Sequence, residues 1–209
     1  TLLLTLSTTL AFSQKPNIVI VITDDQGYSD LACHGNTVIK TPHIDKLHDE
    51  STVLTDYHVA PTCSPTRAAL LTGHWTNRTG VWHTIQGRSM IRENEVTLGQ
   101  HFSSDYATGM FGKWHLGEWL PEHLPLARGF DHQYGHYGWG IDYNSYLIPH
   151  NAPQPFCVFD WHRDQQPVLE KGYSTDLIAD EAIRLMTMHA EEKSHFSIML
   201  LTAVIKKLY

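Results

Sequence analysis

Cysteine is scarce here, with three residues among 209, too few for a disulfide framework. Cys33 and Cys157 are able to pair, which leaves Cys63 over. Net positive charge is also missing. Lys and Arg number 15 against 22 Asp and Glu, a balance of −7. No polyanion-binding surface follows from that, so no nucleic-acid partner is expected. No stretch approaches the ~20 apolar residues of a membrane-spanning helix, so no membrane partner is expected either. Internal repeats and low-complexity linkers are absent. The length suits one domain with a sizeable core, or part of a larger one.

Histidine is abundant, with fifteen residues, as many as Lys and Arg together. That supply directs attention to metal and acid–base chemistry. The N-terminal "TLLLTLSTTLAFSQ" is apolar and rich in small residues. Ala11 and Ser13 stand three and one residues before a cut ahead of Gln14, as in a secretory leader. Residues 1–13 therefore read as the remnant of a signal peptide, clipped at its start. An exported protein is expected, in a periplasmic, extracellular or lysosomal-type compartment. A buried apolar element is the competing reading.

The rest alternates between strand and helix patterns. "NIVIVI" (17–22) is a β-branched run suited to a strand buried on both faces. "TPHIDKLHDE" opens a helix, with Thr41 as N-cap and Pro42 first in the helix. "TVLTDYHV" (52–59) is β-rich. In "SPTRAALLTG", Ser64 caps, Pro65 opens and Gly73 closes a helix. A short helix near 97–104 leads to a strand in "YATGMFG". Residues 117–172 read as long loops rich in Gly, Pro, Trp, Tyr and His. "STDLIADEAIRLMTMHAEE" is an amphipathic helix whose apolar side carries Leu177, Ile178, Ile183, Leu185 and Met186. "HFSIMLLTA" (195–203) is a second buried strand. The pattern predicts an α/β fold with a mostly parallel central sheet flanked by helices. Ligands gather beyond the carboxyl ends of such strands. "TDD", "CSPTR" and "GKWHLG" each follow a predicted strand.

Asp24 and Asp25 are adjacent carboxylates. At ~5 Å they repel by about 3 kcal/mol at an effective dielectric of about 20. On a solvated turn that pair means nothing. At the mouth of a buried strand it calls for a cation or a retained proton, and hard oxygen donors suit Ca²⁺ or Mg²⁺. Cys63, at a helix start, is either a buried cap residue or a reactive thiol. Cys-x-Pro-x-Arg arises by chance in about one chain of this composition in two hundred. Lys113 and His115 are two apart at a strand end, so they point the same way. By themselves they are as well explained by solvent exposure.

"CSPTRAALLTG" resembles the signature of the type I, formylglycine-dependent sulfatases of the alkaline-phosphatase-like superfamily. "PNIVIVITDDQGYSDLACHGN", "IKTPHIDKLHDEST" and "GMFGKWHLG" are similar to further arylsulfatase blocks, in the family's order; the likeness spans roughly residues 16–203, and 14–203 reads as the N-terminal part of a sulfatase catalytic domain. The resemblance implies an alkaline-phosphatase-like fold and hydrolysis of sulfate esters, of aryl or carbohydrate type. It implies that Cys63 is converted by a maturation enzyme to Cα-formylglycine. One hydroxyl of the hydrated aldehyde would take the sulfuryl group; the other would lose its proton and expel sulfate as the aldehyde re-forms. By the same carry-over, Asp24, Asp25 and residue 63 bind the divalent metal, Ca²⁺ or Mg²⁺. Arg67 steadies the hydrated aldehyde, Lys113 binds sulfate, and His115 takes the proton.

The resemblance stops at Ala203. The tail 204–209 diverges, and the later metal ligands and second Lys of the family have no counterpart. A chain truncated at its C-terminus and weak in activity is expected. Three other readings stay open: a phosphodiesterase or phosphatase using Ser64 or Thr66, a non-catalytic truncated product, and a thiol hydrolase using unmodified Cys63 with His115.

Overall fold

The computed structural model describes residues 15–85, 87–147, 159–192 and 194–203. The β-branched run after Asn17 forms β1 (Ile18–Asp24). The other long strands are β2 (Ala107–Lys113), β3 (His132–His136) and β6 (Phe196–Ala203), joined by two-residue strands β4 (His162–Arg163) and β5 (Gln166–Pro167). They form one sheet in the order β1-β6-β2-β3-β4-β5. The first four are parallel, whereas β4 and β5 run antiparallel. The parallel expectation therefore holds for the centre, and the whole sheet is mixed. β6, last in the sequence, lies between β1 and β2, with Thr23 opposite Thr202 and Phe111 opposite Leu200.

Among the described residues the α-helices are α1 (Pro42–Glu50), α2 (Cys63–Thr72), α3 (Thr76–Thr79), α4 (Leu98–Phe102) and α5 (Ser174–Glu191). Successive strand residues point to opposite faces, and the two sides of the core divide accordingly. Met110 joins Ala68 and Leu71 of α2, with Ile20 and Ile22 of β1 beside them. Phe111 joins Ile178, Ala182 and Leu185 of α5. Each fully buried Leu, Ile, Met or Phe among them contributes about 1.5–3 kcal/mol by leaving water.

Several expectations need correction. Residues 52–59 form no strand and are exposed; β-branched composition favours a strand only where a partner strand and a packed face support it. Helix α2 starts at Cys63, with Thr62 as its N-cap. Pro65 is third in the helix, where its missing N–H is one of the donors a first turn leaves unbonded. Gly73 closes α2 in the left-handed conformation, as predicted (φ 68°). Ile183 of α5 is 55% exposed; the buried stripe runs Ile178, Ala182, Leu185.

The aromatic stretch expected to be loop contains β3. Gly135 has no side chain to signal a strand, yet none would fit: a Cβ there would lie 2.3 Å from the Gly112 carbonyl oxygen of β2. Its rings pack on one another and on Trp161. Tyr146 stacks on Trp161 at 4.9 Å, and Tyr134 meets it edge-on at 5.1 Å. On the other flank α1 buries no residue, and Val19 and Val21 of β1 are exposed.

Buried Glu181 ties α5 to β3 and β4 through Arg163, Arg184 and His132. Burial would raise its carboxyl, but Arg184 and Arg163 hold it down to about 2. A depressed carboxyl stabilises the fold above its unfolded value, and that stability is lost as pH falls through the folded one. Glu181→Gln should cost about 2 kcal/mol near neutrality. In urea melts the gap to wild type should close as pH falls from 4.5 towards about 2.

Candidate active site

Asp24 ends β1 and Lys113 ends β2, at the same carboxyl edge of the sheet. With β6 between them the two strands are about 10 Å apart. The Lys113 side chain closes that span, and its Nζ donates to Asp24 Oδ2 at 2.7 Å. Arg67 reaches the same carboxylate from α2. Its Nη2 donates to Asp24 Oδ1 at 2.9 Å and its Nη1 to the Lys113 carbonyl at 2.6 Å. Arg67 is 1% exposed and Lys113 4%. Burial alone would raise the Asp24 carboxyl, but the Lys113 and Arg67 charges hold it below the usual range.

Residue 63 lies one helical turn before Arg67, on the same face of α2. Its Sγ is 3.3 Å from His115 Nδ1. The other ring nitrogen, Nε2, is 3.2 Å from the Thr84 carbonyl oxygen. A carbonyl only accepts, so Nε2 carries the hydrogen and Nδ1 turns a lone pair towards residue 63. Burial, reinforced by Lys113 and Arg67, pushes the imidazole down to about 3. It is therefore neutral at pH 7; the same burial and cations that keep it neutral oppose its protonation, so it becomes a better base only as negative charge enters the site.

Two non-glycine residues at this edge have left-handed backbones: Asp25 (φ 57°) and His115 (φ 56°). Such geometry carries strain, and it clusters at functional sites. Lys113 and His115 thus both reach the site, though not by strand alternation, because the backbone turns between them. Asp24, Asp25, Thr62, Cys63 and Arg67 line one cavity of about 550 Å³. A second cavity of about 450 Å³ lies at the opposite end of β2, beside Thr108, Asp131 and His132.

Two contributors carry no sequence signal. Thr84 acts through its backbone oxygen. His136 ends β3 opposite Lys113 in the register and is fully buried. Burial, its largest influence, pushes His136 down to about 4, and neither ring nitrogen has a hydrogen-bond partner. Arg67 Nε is likewise buried without a partner. Unsatisfied polar atoms of this kind fit a site that completes itself around a polar ligand. His74 is elsewhere, paired with Glu95 at 2.6 Å. His83 accepts from the Thr84 and Ile85 backbone, and His132 belongs to the Glu181 network. Cys33 is a free thiol, and Cys157 lies outside the described residues.

Hard oxygen donors at Asp24 and Asp25, one of them held ionised, suit a hard divalent cation. Both Asp24 oxygens now face cations, so such an ion would have to displace part of that pairing.

Comparison with known proteins agrees with the geometry. The Sulfatase family model matches residues 16–203, and the chain belongs to that family. It is 31% identical over 195 residues to arylsulfatase J of Mus musculus, covering 89% of this chain and 32% of the mouse protein. The chain thus spans about a third of that relative's length. Among solved structures, Ps i-CgsB in complex with k-i-k-neocarrahexaose superposes with a TM-score of 0.79 at 29% identity, over 93% of this chain and 46% of that one. BT4656, in complex with its substrate D-glucosamine-2-N,6-O-disulfate, gives 0.71 at 26% identity, over 90% and 34%.

Asp24→Asn should leave Arg67 and Lys113 buried without their counter-charge and cost about 3–5 kcal/mol in denaturant melts.

Proposed function

We propose that this chain, as a member of the sulfatase family, carries the nucleophile and sulfate-binding groups of a sulfuric ester hydrolase, with Cys63 matured to Cα-formylglycine. The observation that supports this most is the placement of residue 63 against the His115 lone pair, beside the Asp24–Arg67–Lys113 cluster. A hydrated aldehyde offers one oxygen to take the sulfuryl group and a second whose proton can leave to release it.

The chain's own residues take the following parts. His115, anchored through Thr84, receives that second proton at Nδ1. Lys113 and Arg67 supply positive charge to the sulfate oxygens in a buried setting where water screens little. On substrate entry Lys113 Nζ exchanges an Asp24 oxygen for a sulfate oxygen. The amides at the start of α2 add donors and partial positive charge. Asp24, Asp25 and an oxygen at position 63 would hold the divalent cation, Ca²⁺ or Mg²⁺, whose charge polarises the sulfate and acidifies the attacking hydroxyl. These fill part of a shell that for Ca²⁺ takes about six to eight oxygens.

Substrates are read as sulfate esters of a glycan or an aryl alcohol, the glycan reading being supported by the ligands of the two solved relatives. An exported location and a maturation enzyme as partner belong to the same proposal. No helix among the described residues is long and apolar enough to cross a membrane.

The phosphatase reading gains nothing from the geometry. Ser64 is fully buried, and the Thr66 hydroxyl donates to the Ala60 and Thr62 carbonyls. The thiol-hydrolase reading is favoured by one observation, the Cys63–His115 contact itself.

The test is turnover of an aryl sulfate against an aryl phosphate, with the maturation enzyme co-expressed. It should use the chain alone and the chain joined to the C-terminal part of an arylsulfatase relative. The sulfate should be preferred in the joined form. His115→Ala should lower kcat about 10²–10⁴-fold, and Lys113→Ala should raise KM and lower kcat together. Sulfatase activity in the joined protein that survives both substitutions, or loss of activity to iodoacetamide, would overturn the reading.

A further inference from the structure

The segment between the two site-bearing elements holds a second group of metal-type donors that the sulfatase reading does not use. Cys33, His34 and His48 each place one ligand atom within 4.8 Å of the others. We propose that Cys33, His34 and His48 form a separate zinc site that fastens α1 to the turn before it.

The hydrogen bonds around the two imidazoles prepare them as ligands. His34 Nδ1 is 2.8 Å from the Tyr28 carbonyl oxygen. That oxygen only accepts, so Nδ1 carries the hydrogen and Nε2 keeps its lone pair. His48 Nδ1 is 3.3 Å from Asp49 Oδ1, which sets the same tautomer once the carboxylate is ionised. Tying one ring nitrogen to a carbonyl or carboxylate is how proteins orient metal-bound histidine. Tyr28 also stacks on His34, ring centroids 4.0 Å apart, and His34 meets His48 edge-on at 5.9 Å.

Cys33 completes the set. Its backbone N–H donates to Asp45 Oδ1 at 2.9 Å, which turns the residue towards α1. Its thiol is in no disulfide and is half-buried beside the Asp45 carboxylate, whose hydrogen bond a zinc ion would replace. One thiolate and two imidazoles match the preference of Zn²⁺, with water in the fourth position. They do not match Ca²⁺ or Mg²⁺, which take oxygen. Binding forms a sulfur–zinc bond and releases the thiol proton to water.

The site has a mechanical consequence. Helix α1 buries no side chain, so hydrophobic packing does not secure it. Its attachments to the preceding turn are polar, through Thr41, Asp45 and the Ala32 and Cys33 amides. A metal joining residues 33 and 34 to the last turn of α1 would cross-link a segment that begins just after Asp25. The oxygen-rich site at Asp24 and Asp25 and the sulfur–nitrogen site at Cys33 would then select different metals within one domain.

Co²⁺ substitution tests this on the reduced full chain, with Zn²⁺ as competitor. One equivalent of Co²⁺ should give a thiolate-to-cobalt charge-transfer band and strong tetrahedral d–d bands, and Zn²⁺ should bleach both. Cys33→Ser should abolish the charge-transfer band. His48→Gln, on a helix with no buried residue, should weaken metal affinity by at least about tenfold without loss of fold. Cys63→Ala should leave the bands in place, which separates this site from the one proposed for catalysis. Absence of the band in wild type, its survival in Cys33→Ser with unchanged affinity in His48→Gln, or its loss in Cys63→Ala would each overturn the proposal.

Discussion

One carboxylate shared by two buried cations organises this molecule. Asp24 accepts from Arg67 on one oxygen and from Lys113 on the other. Through it the end of β1, the end of β2 and the first turns of α2 are held as one unit. Burying three charges is costly, and apolar residues of similar volume often stabilise as well or better. The network therefore makes most sense as positioning. It fixes residue 63 and Arg67 on one helical face and keeps two cations desolvated beside an open cavity.

The topology explains why the network forms where it does. Because β6 lies between β1 and β2 and pairs with both up to their carboxyl ends, those ends stand about two strand spacings apart. The Lys113 side chain spans that distance to reach Asp24. The left-handed turns at Asp25 and His115 redirect the chain as it leaves each strand. His136 closes the third side from β3 with both ring nitrogens unpaired. Unsatisfied buried polar atoms of this kind fit a polar ligand, and under the proposed function that ligand is a sulfate ester, a monoanion.

Much of this was legible in the residues. β1, β2, β6 and α5 are legible as apolar runs and a helical apolar stripe, but β1 is not buried on both faces as its continuous run implies: Val19 and Val21 are exposed. Spacing and family likeness point to Asp24, Asp25, Cys63, Arg67, Lys113 and His115; in the fold Asp24 pairs with Arg67 and Lys113, and Cys63 meets His115. The sequence misled where partners decide structure. Residues 52–59 have strand composition but no neighbouring strand. β3 hides behind Gly135, whose lack of a side chain is what lets it lie against Gly112. Ile183 fits the apolar period but points to solvent. The Thr84 carbonyl and His136 had no mark at all, because a backbone acceptor is present at every residue and a lone histidine has no period.

The sulfatase mechanism turns on the chemical identity of residue 63. The most direct measurement is the mass of the peptide that contains it, taken from protein made together with the maturation enzyme. The account predicts a loss equal to the change from a CH₂SH to a CHO side chain, and capture of that peptide by a hydrazide. Recovery of the unmodified cysteine mass from protein that turns over a sulfate ester would contradict it.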